Sequence, residues 1–234
     1  INAYLNYRRI AMEKTVPNKD QLEAINTIDG ALLISAGPGT GKTATLVNRY
    51  ANMVNNHGIK PESIMMATFT EKAAKEIVTR ISSVIPDFDL NDVYIGTFHS
   101  ICLRIVRDNI AFVPNLKKNF TLMDGFDQKY FIYQKFSSDF SNLTYFSTLP
   151  FGKRGIWDKS SMLADWMNGL AEEQINASEL LKDPDPKVVA LGSAKQLYDK
   201  LLESQNRLDF ATIQVTAYRL LEDNEEILDK YQDL

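Results

Sequence analysis

Residues 35 to 46 read SAGPGTGKTATL, and no other stretch narrows the possible folds as much. The apolar run ALLIS, 31 to 35, leads into it and reads as a buried strand. A helix from about 42 to 54 is expected to follow, with Leu46, Val47, Tyr50 and Val54 on its inner side. Between them Gly37, Gly39 and Gly41 let backbone amides converge on a ligand with no Cβ in the way. The start of the helix adds its partial positive charge at the same place, which suits an anion. Ala36 to Thr43 satisfies the phosphate-binding pattern A/G-x-x-x-x-G-K-S/T, with Ala36 at the looser first position. In that pattern Lys42 reaches the β and γ phosphates of a nucleotide as a point charge, and Thr43 coordinates Mg²⁺. The expected nucleotide-binding set is Ala36, Gly37, Pro38, Gly39, Thr40, Gly41, Lys42, Thr43 and Ala44, with Lys42 and Thr43 serving catalysis. The plainer alternative is a glycine-rich turn that only joins strand to helix.

The flanking pattern extends this unit. Residues 18 to 28 read as a helix with Asn18 as N-cap and Leu22, Ile25 and Ile28 on one face. After a loop, NNHGIKPES, the run IMMAT at 64 to 68 reads as a strand. Residues 71 to 85 then read as a helix with Ala74, Ile77, Ile81 and Val84 inward. A third strand is expected in VYIGTF, 93 to 98, and a helix over 100 to 109. Strands alternating with helices predict an α/β fold with a parallel sheet. From about 110 to 206 the spacing turns helical and aromatic-rich, as in DQKYFIYQKF and MLADWMNGLAEE, and only FTLMD looks like a strand. That region reads as a mainly helical insertion. The remainder, 207 to 234, continues helically.

Composition removes several classes of function. The formal net charge is −4, which argues against a protein that coats nucleic acid through broad positive charge and leaves room only for a local groove. One cysteine, Cys102, cannot form an internal disulfide, and with two histidines the chain has too few ligands for a Cys/His zinc site. Cys102 is expected in the core. No apolar run approaches the roughly 20 residues needed to span a bilayer, so no membrane partner is expected and a reducing, cytoplasmic setting is. The chain opens on Ile1 rather than Met, which suggests trimming at its start.

Three segments together carry a family likeness. MATFTEKAAKEIVTRI at 66 to 81, IGTFHSICLR at 95 to 104 and Gln21 upstream of the glycine loop resemble the UvrD/Rep-like superfamily 1 DNA helicases, over residues 17 to 109 and more loosely beyond. The resemblance implies a first RecA-like, ATP-binding domain over 1 to 109. It implies a helical inserted subdomain over 110 to 206 and a helical return over 207 to 234. It also implies ATP and Mg²⁺ as cofactors, single-stranded DNA as partner, and movement in the 3′ to 5′ direction in repair or replication.

Site residues follow from the same likeness. Gln21 matches the glutamine that reads adenine, for which a side-chain amide suits because it donates and accepts together; alternatively, Gln21 folds back on Asn18 as a capping box. Thr68, Phe69, Thr70 and Lys72 match the edge of the DNA groove, where an exposed Phe69 would stack on a base. By strand alternation Phe69 could equally be a core side chain. Lys72 and Lys75 with Glu71 and Glu76 are also spaced for ordinary pairing along a solvated helix face. Thr97, His99 and Ser100 match the second DNA-contacting motif, although a lone histidine is commonly a structural group.

The segment LDKYQDL, 228 to 234, superficially resembles the carboxylate motif that completes the magnesium shell and activates water in this family. Lys230 stands at the second acidic position and the surrounding apolar spacing is helical, so a helix is expected. In the family's order such a segment precedes the true carboxylate strand. The expected assignment is therefore the N-terminal part of an ATP-driven DNA helicase, inactive alone, with its second RecA-like domain C-terminal to it. A helicase-like subunit of a nuclease complex and a non-catalytic nucleotide-binding switch remain the alternatives.

Overall fold

The computed structural model describes residues 16–85 and 93–232. The described residues fall into two compact units, one up to residue 101 together with 231–232 and one of 102–230.

In the first unit, α1 (Lys19–Asn26) starts at Asn18, whose side chain accepts from the Gln21 amide. Helix α2 (Lys42–His57) follows the glycine loop and ends at Gly58, which takes the left-handed conformation common at helix C-termini. Strand β1 (Met65–Thr68), helix α3 (Glu71–Val84) and strand β2 (Tyr94–Thr97) form a parallel crossover in which Met65 pairs with Tyr94 and Thr68 with Thr97. The expected inner face of α3 is the buried one: Ala74, Ile77, Ile81 and Val84. Of these, Ile77, Ile81 and Val84 join Val47, Tyr50 and Ala51 of α2 and Ile64 in one core, with Val54 half-buried against it. Tyr231 meets Tyr94 edge-on, with ring centroids 5.8 Å apart.

Two expectations fail here. Residues 31–35 form no strand, and Leu33 is 93% exposed. An apolar run records a preference for burial but not the neighbour it pairs with, and β1 and β2 pair with each other. Leu46, expected inward, is 37% exposed. Thr45, Asn48 and Asn52 of α2 are buried alongside Val47, Tyr50 and Ala51, and Asn52 bonds the Ile25 carbonyl of α1.

Helix α4 (Phe98–Asp108) straddles the boundary between the units, and it starts earlier than its apolar spacing indicated. In the second unit, strand β3 (Thr121–Met123) pairs in parallel with β4 (Arg207–Asp209). Strand β4 lies inside the stretch expected to be wholly helical, and three residues are too short for alternation to register. The helices of this unit are α5 (Gly125–Phe136), α6 (Ile156–Glu172), α7 (Ala177–Leu180), α8 (Pro186–Ser204) and α9 (Phe210–Asp223), followed by α10 (Glu225–Gln232), whose end belongs to the first unit. The core is aromatic, with Phe131, Phe136, Phe140, Phe146 and Phe151 packed against Leu163, Met167 and Tyr198.

A polar knot lies within this core. Asp209 is 1% exposed and caps α9 through Oδ1, which accepts from Thr212 N at 2.7 Å. Its Oδ2 accepts from Tyr198 OH at 2.5 Å and from Gln128 Nε2 at 3.0 Å. Burial first, then the Asp209 charge, pushes the Tyr198 hydroxyl well above its ordinary value. A phenol that stays protonated in the fold but ionises in the unfolded chain stabilises the fold below the unfolded value of about 10. That contribution disappears as pH climbs above it. Wild-type protein is therefore expected to lose stability above about pH 10, and Tyr198→Phe to lose less of it, in melts at stepped pH. Parallel pH curves for the two would count against a buried, protonated Tyr198.

Candidate functional site

The glycine loop has the geometry its residues demand. Gly39 and Gly41 take φ of 73° and 87°, where an L side chain is strained. A Cβ on Gly41 would also lie 3.1 Å from Gln21 Nε2. Gly41 is the N-cap of α2, so Lys42, Thr43 and Ala44 occupy its first turn. The backbone amides of that turn have no partner within the helix, and the helix dipole is positive there. Lys42 Nζ curls over the loop, donating to Ala36 O at 2.8 Å and Gly37 O at 2.7 Å. Thr40 Oγ1 closes the loop from inside by donating to Gly37 O at 2.8 Å. Ala36 through Lys42 are exposed, while Thr43 and Ala44 are half-buried.

Gln21 serves two contacts at once. Its Oε1 accepts from Asn18 N at 2.9 Å, completing the capping box. Its Nε2 donates to Thr40 O at 2.9 Å, which ties α1 to the glycine loop. The capping box and a place beside the loop are therefore compatible rather than exclusive.

A second surface forms where β1 and β2 end. Because Thr68 pairs with Thr97, the steps Thr68-Phe69 and Thr97-Phe98 leave the sheet side by side. Phe69 is fully exposed at 100%, so it is not a core side chain. Thr70 caps α3 by accepting from Ala73 N, and Thr68 Oγ1 donates to Thr70 O at 3.0 Å. Thr97 is 7% exposed; its hydroxyl accepts from Ser100 N at 3.1 Å and donates to Glu71 Oε1 at 3.2 Å. Ser100 Oγ donates to Thr97 O at 2.8 Å, and a Cβ on Gly96 would sit 2.2 Å from that oxygen. A side chain at 96 would thus displace the Ser100 hydroxyl from its bond to Thr97 O. His99 is half-buried beside them and Lys72 is exposed.

Residue spacing misjudged two things on this surface. Glu71 and Glu76 were expected to pair with lysines one turn away, yet Glu71 takes Thr97 and Glu76 takes Arg80 at 2.6 Å. For Glu71 a tertiary contact replaced the helical neighbour, whereas Glu76 keeps an i,i+4 partner, arginine rather than lysine. Phe98, 53% exposed beside the Phe69 position, received no site role from the sequence. The repeated Thr-Phe step was the available signal, and only strand register shows that the two copies are neighbours.

Elsewhere the chemistry is quiet. Cys102 is buried as expected, and burial pushes its thiol upward, away from reactivity. Among the described residues no cluster of three or more His, Cys, Asp or Glu side chains could hold a metal, and no helix is long and apolar enough to cross a membrane. A cavity of about 720 Å³ in the second unit, bordered by Leu170, Lys195, Leu202, Arg207 and Arg219, contains none of the expected site residues. The segment resembling a carboxylate motif is helical through Gln232, as its spacing predicts.

Comparison with known proteins places the chain in one class, the helicase domains. Residues 17–234 match the UvrD/REP helicase N-terminal domain, and the chain belongs to that family. It is 34% identical over 218 residues to a probable DNA helicase II homolog of Rickettsia conorii, covering 92% of this chain and 31% of that protein. It is 30% identical over 233 residues to the ATP-dependent DNA helicase PcrA of Staphylococcus aureus, covering 100% of this chain and 29% of that protein. The chain therefore spans about a third of the length of these relatives.

Proposed function

We propose that this chain is the ATP-binding, DNA-gripping N-terminal part of an ATP-dependent DNA helicase acting on single-stranded DNA in the cytoplasm, in repair or replication. The observation that carries the reading is the loop itself. Two left-handed glycines, a helix N-terminus and the Lys42 ammonium converge on one exposed point. The donor set fits a magnesium–triphosphate: backbone amides and Lys42 for the phosphate oxygens, and the Thr43 hydroxyl for the metal.

In this reading residues 1 to 109 are the first RecA-like domain, 110 to 206 its helical insertion and 207 to 234 the return. When a triphosphate enters, Lys42 exchanges two carbonyl partners for phosphate oxygens, and that exchange is a stronger, charge-assisted pairing. Gln21 presents its amide to the adenine. Because Glu225–Gln232 is a helix and Lys230 stands at the second acidic position, this segment does not supply the paired carboxylates that hydrolysis requires. In this reading the chain alone binds nucleotide weakly at most and does not turn it over. Turnover and 3′ to 5′ movement belong to the whole protein, with a second RecA-like domain C-terminal to this one.

DNA lies across the ends of β1 and β2. Phe69 offers a face for one base, a contact that tolerates any sequence, while Thr70, Lys72 and the Thr97–His99–Ser100 turn hold the backbone. Stacking of this kind is worth about 1–3 kcal/mol per base, so Phe69→Ala is expected to weaken binding of the protein to oligo(dT) by about 5- to 150-fold. Fluorescence anisotropy measures it. An unchanged affinity would remove this surface from the DNA path, and a Phe69→Trp variant that binds as well as wild type would support stacking.

A further inference from the structure

Helix α1 is only eight residues long and buries just Ala24 and Ile25, so its own strength cannot fix its position. Its last turn contains no basic residue. The carbonyls left open at its C-terminal end are taken by side chains of α2 instead. Arg49 Nη1 donates to Ala24 O at 2.6 Å and also to Thr27 O, and Arg49 Nη2 donates to Ile28 O at 3.5 Å. Asn52 Nδ2 donates to Ile25 O at 3.0 Å, and its own Oδ1 accepts from Asn56 Nδ2 at 2.7 Å. At the opposite end of α1, Gln21 meets Thr40 O of the glycine loop. The helix is thus pinned at both ends to the loop-and-helix unit formed by residues 36 to 57.

We propose that Arg49 is a positioning residue for selection of the nucleotide base, acting through the C-terminal carbonyls of α1 on the placement of Gln21. This rests on the reading of Gln21 as the adenine contact. An amide carries two N–H donors and two acceptor lone pairs. Asn18 N takes one lone pair and Thr40 O takes one N–H, leaving a single donor and a single acceptor in fixed directions. Adenine complements that pair with its N7 acceptor and N6 amino donor, whereas guanine presents two acceptors on the same edge. Selection therefore depends on the direction of the Gln21 amide, and that direction is set by where α1 sits. Phosphate binding does not depend on it, because the loop amides and Lys42 belong to α2 and its N-terminal loop. A lysine at 49 would be a poor substitute: one ammonium on a flexible stem cannot span three carbonyls as a guanidinium fork does.

The test is competition of MgATP, MgGTP and magnesium tripolyphosphate against a fluorescent adenine nucleotide on the protein, for wild type, Gln21→Ala, Arg49→Lys, Arg49→Met and Asn52→Leu. The proposal expects Arg49→Met to lower the ATP-to-GTP preference by about five- to tenfold while tripolyphosphate affinity stays within about twofold. Arg49→Lys should fall between, and Asn52→Leu should move the preference the same way by less. Equal losses for ATP, GTP and tripolyphosphate would overturn it, since Arg49 would then only support the fold. A preference lost in Gln21→Ala but kept in Arg49→Met overturns this proposal and leaves the adenine reading intact. No preference in wild type overturns both. If Arg49→Met does not fold, as a melt would reveal, the preferences of Arg49→Lys and Asn52→Leu decide the matter by the same criteria.

Discussion

Lys42→Ala is expected to abolish nucleotide function while leaving the fold untouched. Charge-assisted bonds from one ammonium to phosphate oxygens contribute about 3 kcal/mol or more, so affinity for MgATP should fall at least about 100-fold. DNA-stimulated hydrolysis by the whole protein should become undetectable. Lys42 is exposed and its two present partners, the carbonyls of Ala36 and Gly37, sit at a surface where water can replace it. Substitutions of that kind change stability by about 0.5 kcal/mol or less, so the melting temperature should hold. Calorimetric titration and a thermal melt on the same sample separate the two effects. Retained affinity would mean that the loop is only a turn; a large drop in melting temperature would mean that Lys42 is structural.

Asp209→Ala is expected to have the opposite signature, a fold lost with no direct effect at the loop. The carboxylate is the cap of α9 and the shared acceptor for Tyr198 and Gln128. Its removal costs about 1 kcal/mol for the cap and about 1–3 kcal/mol for each of the two buried donors, hence about 3–7 kcal/mol in all. Against a typical domain stability of about 5–15 kcal/mol, that loss threatens the second unit. Asp209→Asn keeps an acceptor at Oδ1 and should cost about 1–2 kcal/mol. Urea unfolding followed by far-ultraviolet circular dichroism measures both variants. Equal, small effects would show that the knot is dispensable.

The contrast between these two variants reflects what residue order alone could reveal. The glycine loop was legible because its chemistry is local: φ values above zero need glycine, and the ammonium must follow the last of them directly. Helix α3 was legible because Ala74, Ile77, Ile81 and Val84 repeat with the helical period. The cap at Asn18 was legible because Gln21 stands three residues on. What escaped was whatever depends on partners distant in the chain. ALLIS looked like a strand on apolar content, but pairing is a property of two segments. Strand β4 exists because β3 is beside it. Arg49 drew no role from the sequence, and its contacts appear only once the end of α1 lies across it. Glu71 had lysines at the right helical spacing and took Thr97 from another element. No sequence pattern marked Asp209 as 1% exposed with donors from Gln128 and Tyr198.

The central claim is that residues 36 to 44 bind the triphosphate of a nucleotide. The most direct measurement is a titration of ¹⁵N-labelled protein with MgATP, following each backbone amide by nuclear magnetic resonance. Even weak binding should shift the amides of Gly37, Gly39, Gly41, Lys42 and Thr43 first and most, and Lys42→Ala should silence those shifts. Shifts that gather elsewhere, or that persist unchanged in Lys42→Ala, would contradict the account.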